Sequence, residues 1–261
     1  IMIQFDFLDL KNKLITIIKD ALIVIDNTKS LNIKKKELND IATFADEFLE
    51  KMLREFIHSS FPLHRIIGEE DGDNNIDSPY EWIIDPIDGT VNYAAKIPFY
   101  SSTIALRYYG ETIFGLIYDI PNNDVYYAIK GKGSYKNDIP LKVSDKSDLS
   151  ESIVTICLTS SYDEALTEEV LSIIKKLQPH LRGIRIIVST AYELSWIALG
   201  LTEGMINIKP SLGVSSKAGI LMVTEANGKV SNIKGNKRKN IDTLLVTNGL
   251  IHDEIVKIIN S

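Results

Sequence analysis

Four carboxylates and one glycine turn carry the chemistry that this sequence could perform. Asp85 and Asp88 stand three apart in Asp85-Pro86-Ile87-Asp88-Gly89-Thr90. Glu69 lies in Gly68-Glu69-Glu70, and Asp46 lies further upstream. Anions gathered at one point repel each other unless cations hold them together. Mg2+ is a hard ion that takes oxygen ligands in an octahedron and keeps several waters. One such ion needs one or two carboxylates; two or three neighbouring ions need a cluster. Pro86 fixes its own φ and biases Asp85 away from the helical region. Gly89 lets the chain turn sharply. Such a turn can aim both carboxylates and the Ile87 carbonyl at one point. If Gly89 and Thr90 open a helix, their N–H groups would cradle a phosphate.

The same residues fit other readings. Asp-Pro-x-Asp-Gly is also an ordinary surface turn, because each of its residues favours turns. The apolar strand entering it and the Gly-Glu-Glu element upstream weigh against that. Asp71-Gly72-Asp73-Asn74-Asn75-Ile76-Asp77 begins like a calcium-binding EF-hand loop. Ile76 stands where that loop needs glycine and Trp82 where it needs glutamate, so the segment reads as a solvated loop. A phosphoenzyme of the haloacid dehalogenase type would need Asp-x-Asp-Gly-Thr, and the spacing here is one residue longer. Neither a phosphate-binding GxxxxGK[ST] loop nor GxSxG nor HExxH occurs. His58, His64, His180 and His252 are scattered and read as packing or surface residues.

The elements that must position these groups follow from periodicity. Phe5 to Val24 has apolar residues at helical spacing. Asn27 to Glu37 is rich in lysine and reads as a solvated loop. A second helix is expected from Leu38 to His58, with Asp46 beside its apolar face. Short strands at Leu63–Ile67 and Glu81–Ile84 lead into the two acidic elements. Strands at 101–108, 112–119, 125–129 and 133–135, broken by turns, suggest an antiparallel meander. After a polar stretch at 142–152 the pattern changes. Strands near 153–158, 184–188, 205–208, 229–232 and 244–247 alternate with helices at 167–177, 191–199, 216–226 and 251–259. This is α/β wiring. The expected organisation is a half at 1–145 carrying the acidic motif and an α/β half at 146–261 completing the site.

Composition sets the outer bounds. The 261 residues suffice for a sizeable core, and 44% are hydrophobic. The net charge of −6 provides no basic field for nucleic acid or an anionic membrane. Cys157 is the single cysteine and reads as a buried hydrophobe. No apolar run reaches the ~18 residues that would span a bilayer. Ile1 to Asn12 does not read as a secretory leader. The chain is accordingly expected to be cytoplasmic, with no nucleic-acid or membrane partner.

With these residues in view, the chain resembles the inositol monophosphatase family. Gly68-Glu69-Glu70, Trp82-Ile83-Ile84-Asp85-Pro86-Ile87-Asp88-Gly89-Thr90-Val91-Asn92-Tyr93 and Ile97-Pro98-Phe99 are similar to the family's first signature. Thr43-Phe44-Ala45-Asp46, Ser189-Thr190-Ala191, Leu199-Gly200 and Thr224-Glu225-Ala226-Asn227-Gly228 also fall in register. The resemblance implies an α+β fold, a layered αβαβα sandwich with a mostly antiparallel N-terminal sheet half and a C-terminal α/β half, and a homodimer. It implies a Mg2+-dependent phosphomonoesterase acting on small phosphorylated sugars or polyols through metal-activated water, with two or three ions and Mn2+ as a substitute.

Residue by residue, Glu69, Asp85 and the Ile87 carbonyl would hold the first ion, and Asp85 and Asp88 a second. Asp46 and Thr90 would orient the attacking water, with a third ion assisting near Glu69. The N–H groups of Gly89 and Thr90 would bind phosphate. The family's second signature places a metal-binding aspartate where this chain has Ser215, and Lys217 adds a charge nearby. The second ion would then be weakened, or replaced at the leaving group by Lys217, or the chain would be a weak or inactive homologue with a binding or regulatory role. Asn207-Ile208-Lys209-Pro210-Ser211 is similar to archaeal members that hydrolyse inositol monophosphate and fructose 1,6-bisphosphate. Arg185 or Lys209 would meet a second phosphate.

Overall fold

The computed structural model describes residues 5–27, 33–37, 40–158, 163–208, 213–236 and 243–261. Helix α1 (Phe7–Asn27) precedes a hairpin of β1 (Ile33–Glu37) and β2 (Asp40–Thr43), and α2 (Phe44–Ser60) follows. Next come β3 (Arg65–Gly68), β4 (Tyr80–Asp88) and the short α3 (Thr90–Ala95). Strands β5 (Ser101–Tyr108), β6 (Glu111–Asp119), β7 (Asp124–Ile129), β8 (Gly133–Lys136) and β9 (Ile139–Pro140) then join β3 and β4 in a seven-stranded sheet of order 3-4-5-6-7-8-9.

A five-stranded sheet comes from the rest of the chain. Its elements are β10 (Ile153–Cys157), α4 (Glu164–Leu177), β11 (Gly183–Arg185), α5 (Thr190–Ala198), β12 (Gly204–Asn207), α6 (Lys217–Glu225), β13 (Lys229–Ser231), β14 (Leu244–Thr247) and α7 (His252–Ile259). The strand order is 11-10-12-14-13.

The layers follow from which faces are apolar. On α1, Leu10, Leu14, Ile18, Ala21 and Ile25 are buried; on α2, Ala45, Leu49, Leu53 and Ile57 are. Both stripes recur every three to four residues and cover one face of the large sheet, against Trp82, Ile84, Ile104 and Leu116. The opposite face, with Ile83, Ala105, Ile117 and Ala128, meets α5 and α6, whose other sides meet Met205, Leu244 and Val246 of the small sheet. Helices α4 and α7 cover the outer face of that sheet through Val170, Ile173, Ile255 and Ile259. The result is the αβαβα sandwich expected from the sequence. No helix among the described residues is long and apolar enough to cross a membrane.

Local departures have physical causes. The lysine-rich segment expected as a loop contains β1, which pairs antiparallel with β2. Backbone pairing satisfies main-chain donors and acceptors whatever the side chains are, so a lysine-rich segment can form a strand. Because 40–43 are strand, α2 begins at Phe44 and Asp46 falls in its first turn, where the helix dipole favours an acid. The meander is antiparallel from β4 to β9, but β3 and β4 are parallel. In the small sheet β10, β11 and β12 are parallel, while β14 runs antiparallel to β12 and β13.

Helix α6 lies close on the large sheet because Gly115 has no side chain. A Cβ there would sit 2.8 Å from the Ala218 Cα. Gly115→Ala is expected to lower stability by about 1–3 kcal/mol, as overpacking does. A fall in the urea midpoint at constant m-value would show it.

Candidate active site

Parallel pairing of β3 with β4 brings two acids to one level. Gly68 is in register with Ile84, and the Glu69 N–H donates to the Ile84 carbonyl at 3.1 Å. Glu69 and Asp85 therefore leave neighbouring strands side by side. Asp85 pairs with Thr103 and Asp88 with Ser101, with a register shift between them. Pro86, which has no N–H, sits inside that irregularity.

The chain then turns at Gly89, with φ +90°, and α3 opens at Thr90. A Cβ on Gly89 would lie 2.7 Å from the Phe99 carbonyl, so both its dihedral and its surroundings demand glycine. The Tyr93 N–H closes the first turn onto the Gly89 carbonyl at 2.9 Å. The Thr90 hydroxyl donates to the Ile87 carbonyl at 3.0 Å.

Asp88 is clasped from the other half of the chain. The Ser189 hydroxyl donates to Asp88 Oδ2 at 2.6 Å, the Ala191 N–H to the same oxygen at 2.8 Å and the Thr190 N–H to Oδ1 at 3.2 Å. The carboxylate sits at the N-terminus of α5, where amides and dipole both favour a negative charge. Burial pushes the Asp88 carboxyl up to about 6, and the α5 donors restrain the rise. Asp85 is raised well above the usual carboxylate range: first by burial, then by the charges of Glu69 and Asp88 and a hydrogen bond shared with the Glu69 side chain, against a hydrogen bond from Ser215. Asp85 Oδ1 is buried and has no hydrogen-bond partner among the described residues.

The remaining expected residues are placed as follows. Asp46 is buried in the first turn of α2. Burial, then the charges of Asp26, Tyr100 and Asp46, hold the Tyr93 phenol on α3 up at about 12. Ser215 is buried and its side chain reaches Asp85. Lys217 is half-buried at the start of α6. Arg185 is exposed at the end of β11, where its guanidinium donates to the Ile184 carbonyl at 3.0 Å. Lys209 lies outside the described residues. Asp73, from the segment that begins like an EF-hand, is held by the Arg65 guanidinium with Nε at 3.1 Å.

These donors fit a hard divalent cation. Among the described residues no cage of three or more histidine, cysteine or carboxylate ligands is closed. Mg2+ does not need one, because it takes one or two carboxylates and fills its octahedron with water and substrate phosphate. Glu69, Asp85 and the Ile87 carbonyl are oxygen donors of that kind. The unpartnered oxygen of Asp85 is an uncompensated group of the sort that a cation satisfies.

Residue-by-residue reading of the sequence missed three supports. Glu50, fully buried on α2, accepts hydrogen bonds from the Glu70 and Asp71 amides. Its signal was the spacing Asp46, Glu50, Arg54 along one helix face. Asn92 donates to the Phe99 and Ile187 carbonyls, both at 2.9 Å, tying α3 to the approach to α5. Glu193, the one acid in the apolar α5, accepts from Thr155 Oγ1 at 3.1 Å and from the Ile187 N–H at 3.3 Å. It thereby supports Val188, a β-branched residue held at φ +60°, just before Ser189.

A model of the inositol monophosphatase family matches residues 3–261. The chain belongs to the inositol monophosphatase family. It is 30% identical over 262 residues to a fructose-1,6-bisphosphatase/inositol-1-monophosphatase of Thermotoga maritima, covering 98% of this chain and 96% of that protein. It is 33% identical over 204 residues to the Nus factor SuhB of Pasteurella multocida, covering 77% of this chain and 74% of that one. Among solved structures, an IMPase from Thermotoga maritima superposes with a TM-score of 0.86 at 28% identity, covering 98% and 97% of the two chains. The inositol monophosphatase family is one of metal-dependent phosphatases, generally using Mg2+.

Burial, together with the nearby Asp88 charge, raises Glu193 to about 8 from a usual 4.5. The folded state therefore holds a proton that the unfolded chain releases between pH 4.5 and 8. Glu193's contribution to stability is complete below that window and declines as pH rises through it. Glu193→Gln keeps an acceptor for Ile187 and removes the titration. Its thermal midpoint is expected to match wild type near pH 5 and exceed it at pH 9.

Proposed function

We propose that this chain is a Mg2+-dependent phosphomonoesterase acting on inositol monophosphate, fructose 1,6-bisphosphate or both. The observation that carries the reading is the buried, unpartnered oxygen of Asp85 between Glu69 and Asp88, at the foot of a turn that opens a helix at Thr90. Glu69, Asp85 and the Ile87 carbonyl would hold one ion, and Asp85 with Asp88 a second. A third beside Glu69, and Mn2+ in place of Mg2+, belong to the same reading. When bound, the metal neutralises phosphoryl charge and lowers the pKa of water to near neutrality.

The chain's own groups do the rest. The amides of Gly89 and Thr90 receive phosphate oxygens. Thr90 Oγ1, already oriented by the Ile87 carbonyl, and Asp46 orient the water that attacks phosphorus. The α5 N-terminus keeps Asp88 ionised and fixed while substrate enters. The protein would work as a cytoplasmic homodimer on small phosphorylated sugars or polyols.

Ser215 favours a second reading. A buried neutral hydroxyl donating to Asp85 gives a cation less than a carboxylate would. A weak or inactive homologue with a binding or regulatory role is therefore the competing proposal, and the similarity to proteins named Nus factor SuhB supports it.

A phosphomonoester panel with Mg2+ titration separates the two. The phosphatase reading expects Mg2+-stimulated phosphate release that falls at least ~100-fold in Asp85→Asn and Asp88→Asn. No turnover on any substrate at saturating Mg2+ leaves the binding reading. Ser215→Asp is expected to tighten Mg2+ roughly tenfold, measured by calorimetry. Unchanged binding would show that Ser215 does not border the ion.

A further inference from the structure

We infer that Glu50 is a positioning residue: it braces the loop that presents Glu69 and locks that loop to the helix that presents Asp46. The inference rests on the metal reading above and extends it to a side chain that touches neither ion nor substrate.

The geometry is specific. Asp46 and Glu50 are four apart on α2, so they lie on one face, and both are buried. Glu50 Oε2 accepts the Glu70 N–H at 2.8 Å. Glu50 Oε1 accepts the Asp71 N–H at 3.0 Å and Arg54 Nε at 2.7 Å. Arg54 also donates to the Gly72 carbonyl, on the far side of the same loop. The carboxylate lies directly over Gly68, where an added Cβ would sit 2.0 Å from Oε1. On the other side, the Glu69 N–H is held by the Ile84 carbonyl, one residue before Asp85. The Glu69 backbone is thus clamped between β4 and α2, with its amide on one and the next two amides on the other.

A carboxylate is a costly choice for a buried helix face. Burying its charge is unfavourable unless donors surround it, as they do here. An apolar residue of similar size would pack on α2 but leave the Glu70 and Asp71 amides without acceptors. The benefit falls on the loop rather than on the helix. With the brace in place, Glu69 faces Asp85 before any cation arrives, so ion binding does not have to order the loop. Outer partners that orient metal ligands typically alter affinity by about 10–100-fold.

The test uses the intact chain and three variants, Glu50→Gln, Gly68→Ala and the double variant. Mg2+ affinity is read from the concentration dependence of the thermal midpoint, beside the Mg2+-free midpoint and circular dichroism. Glu50→Gln keeps the shape and removes one acceptor; Gly68→Ala keeps the carboxylate and displaces it. Each is expected to weaken Mg2+ about tenfold while remaining folded without it. The double variant is expected to be no weaker than either single one, because both disable the same contact. Val170→Ala, in the outer layer formed by α4, serves as the control that lowers stability away from the loop and the site, with Mg2+ affinity unchanged. Wild-type affinity in both single variants overturns the brace alone. Loss of fold in both without Mg2+ marks Glu50 as a purely structural residue and also overturns it. Absence of any Mg2+ effect on the wild type overturns the brace and the metal reading together.

Discussion

Like charges held out of water at the end of β4 are the constraint around which this molecule is organised. Asp85 is buried, Asp88 is buried three residues later, and the charge of Glu69 reaches Asp85 from the neighbouring strand. Desolvation and mutual repulsion both act against ionisation there. Each nearby element supplies some compensation. Helix α5 turns its N-terminal amides on Asp88, and Ser215 gives a hydrogen bond to Asp85. One oxygen of Asp85 is left without a hydrogen-bond partner among the described residues, and the proposed cation would satisfy it.

The layered architecture makes that compensation available. Asp88 comes from the large sheet, whereas Ser189 and α5 come about a hundred residues later and pack on both sheets. The meeting requires α5 and α6 to lie close between the sheets. Small residues permit it: Gly115 admits Ala218, and Gly219 leaves room for the Leu194 side chain. Strain accumulates where the site is finished. Val188 is held in the left-handed region directly before the residue that clasps Asp88, and Glu193 and Asn92 hold the adjoining peptide in place. Backbone conformations of this kind persist when surrounding contacts over-determine them.

The strand and helix spans expected from periodicity agree with the structure along most of the chain, because one-sided burial imprints a period of 3.6 or 2. The exceptions are instructive. β1 was hidden because a charged two-stranded ribbon needs no apolar alternation. The parallel pairing of β3 and β4 was hidden because two short apolar runs look alike in either direction. Glu50 was hidden because an acid amid helical polar residues reads as surface until the loop it serves is folded over it.

The sequence by itself determined the acidic turn, since Pro86 fixes its own φ, Gly89 admits the positive φ of the turn, and both act within a few bonds of Asp85 and Asp88. It also determined the amphipathic faces of the helices and strands. Only the tertiary structure decided that Ser189, Thr190 and Ala191 would grip Asp88, that Ser215 would reach Asp85 and that Glu50 would brace the Glu69 loop. Those contacts join residues 20 to about 130 positions apart, and no local rule on spacing or propensity carries information over such a distance. They exist because packing the layers brings these polar groups together where little water reaches them, and buried polar groups pair.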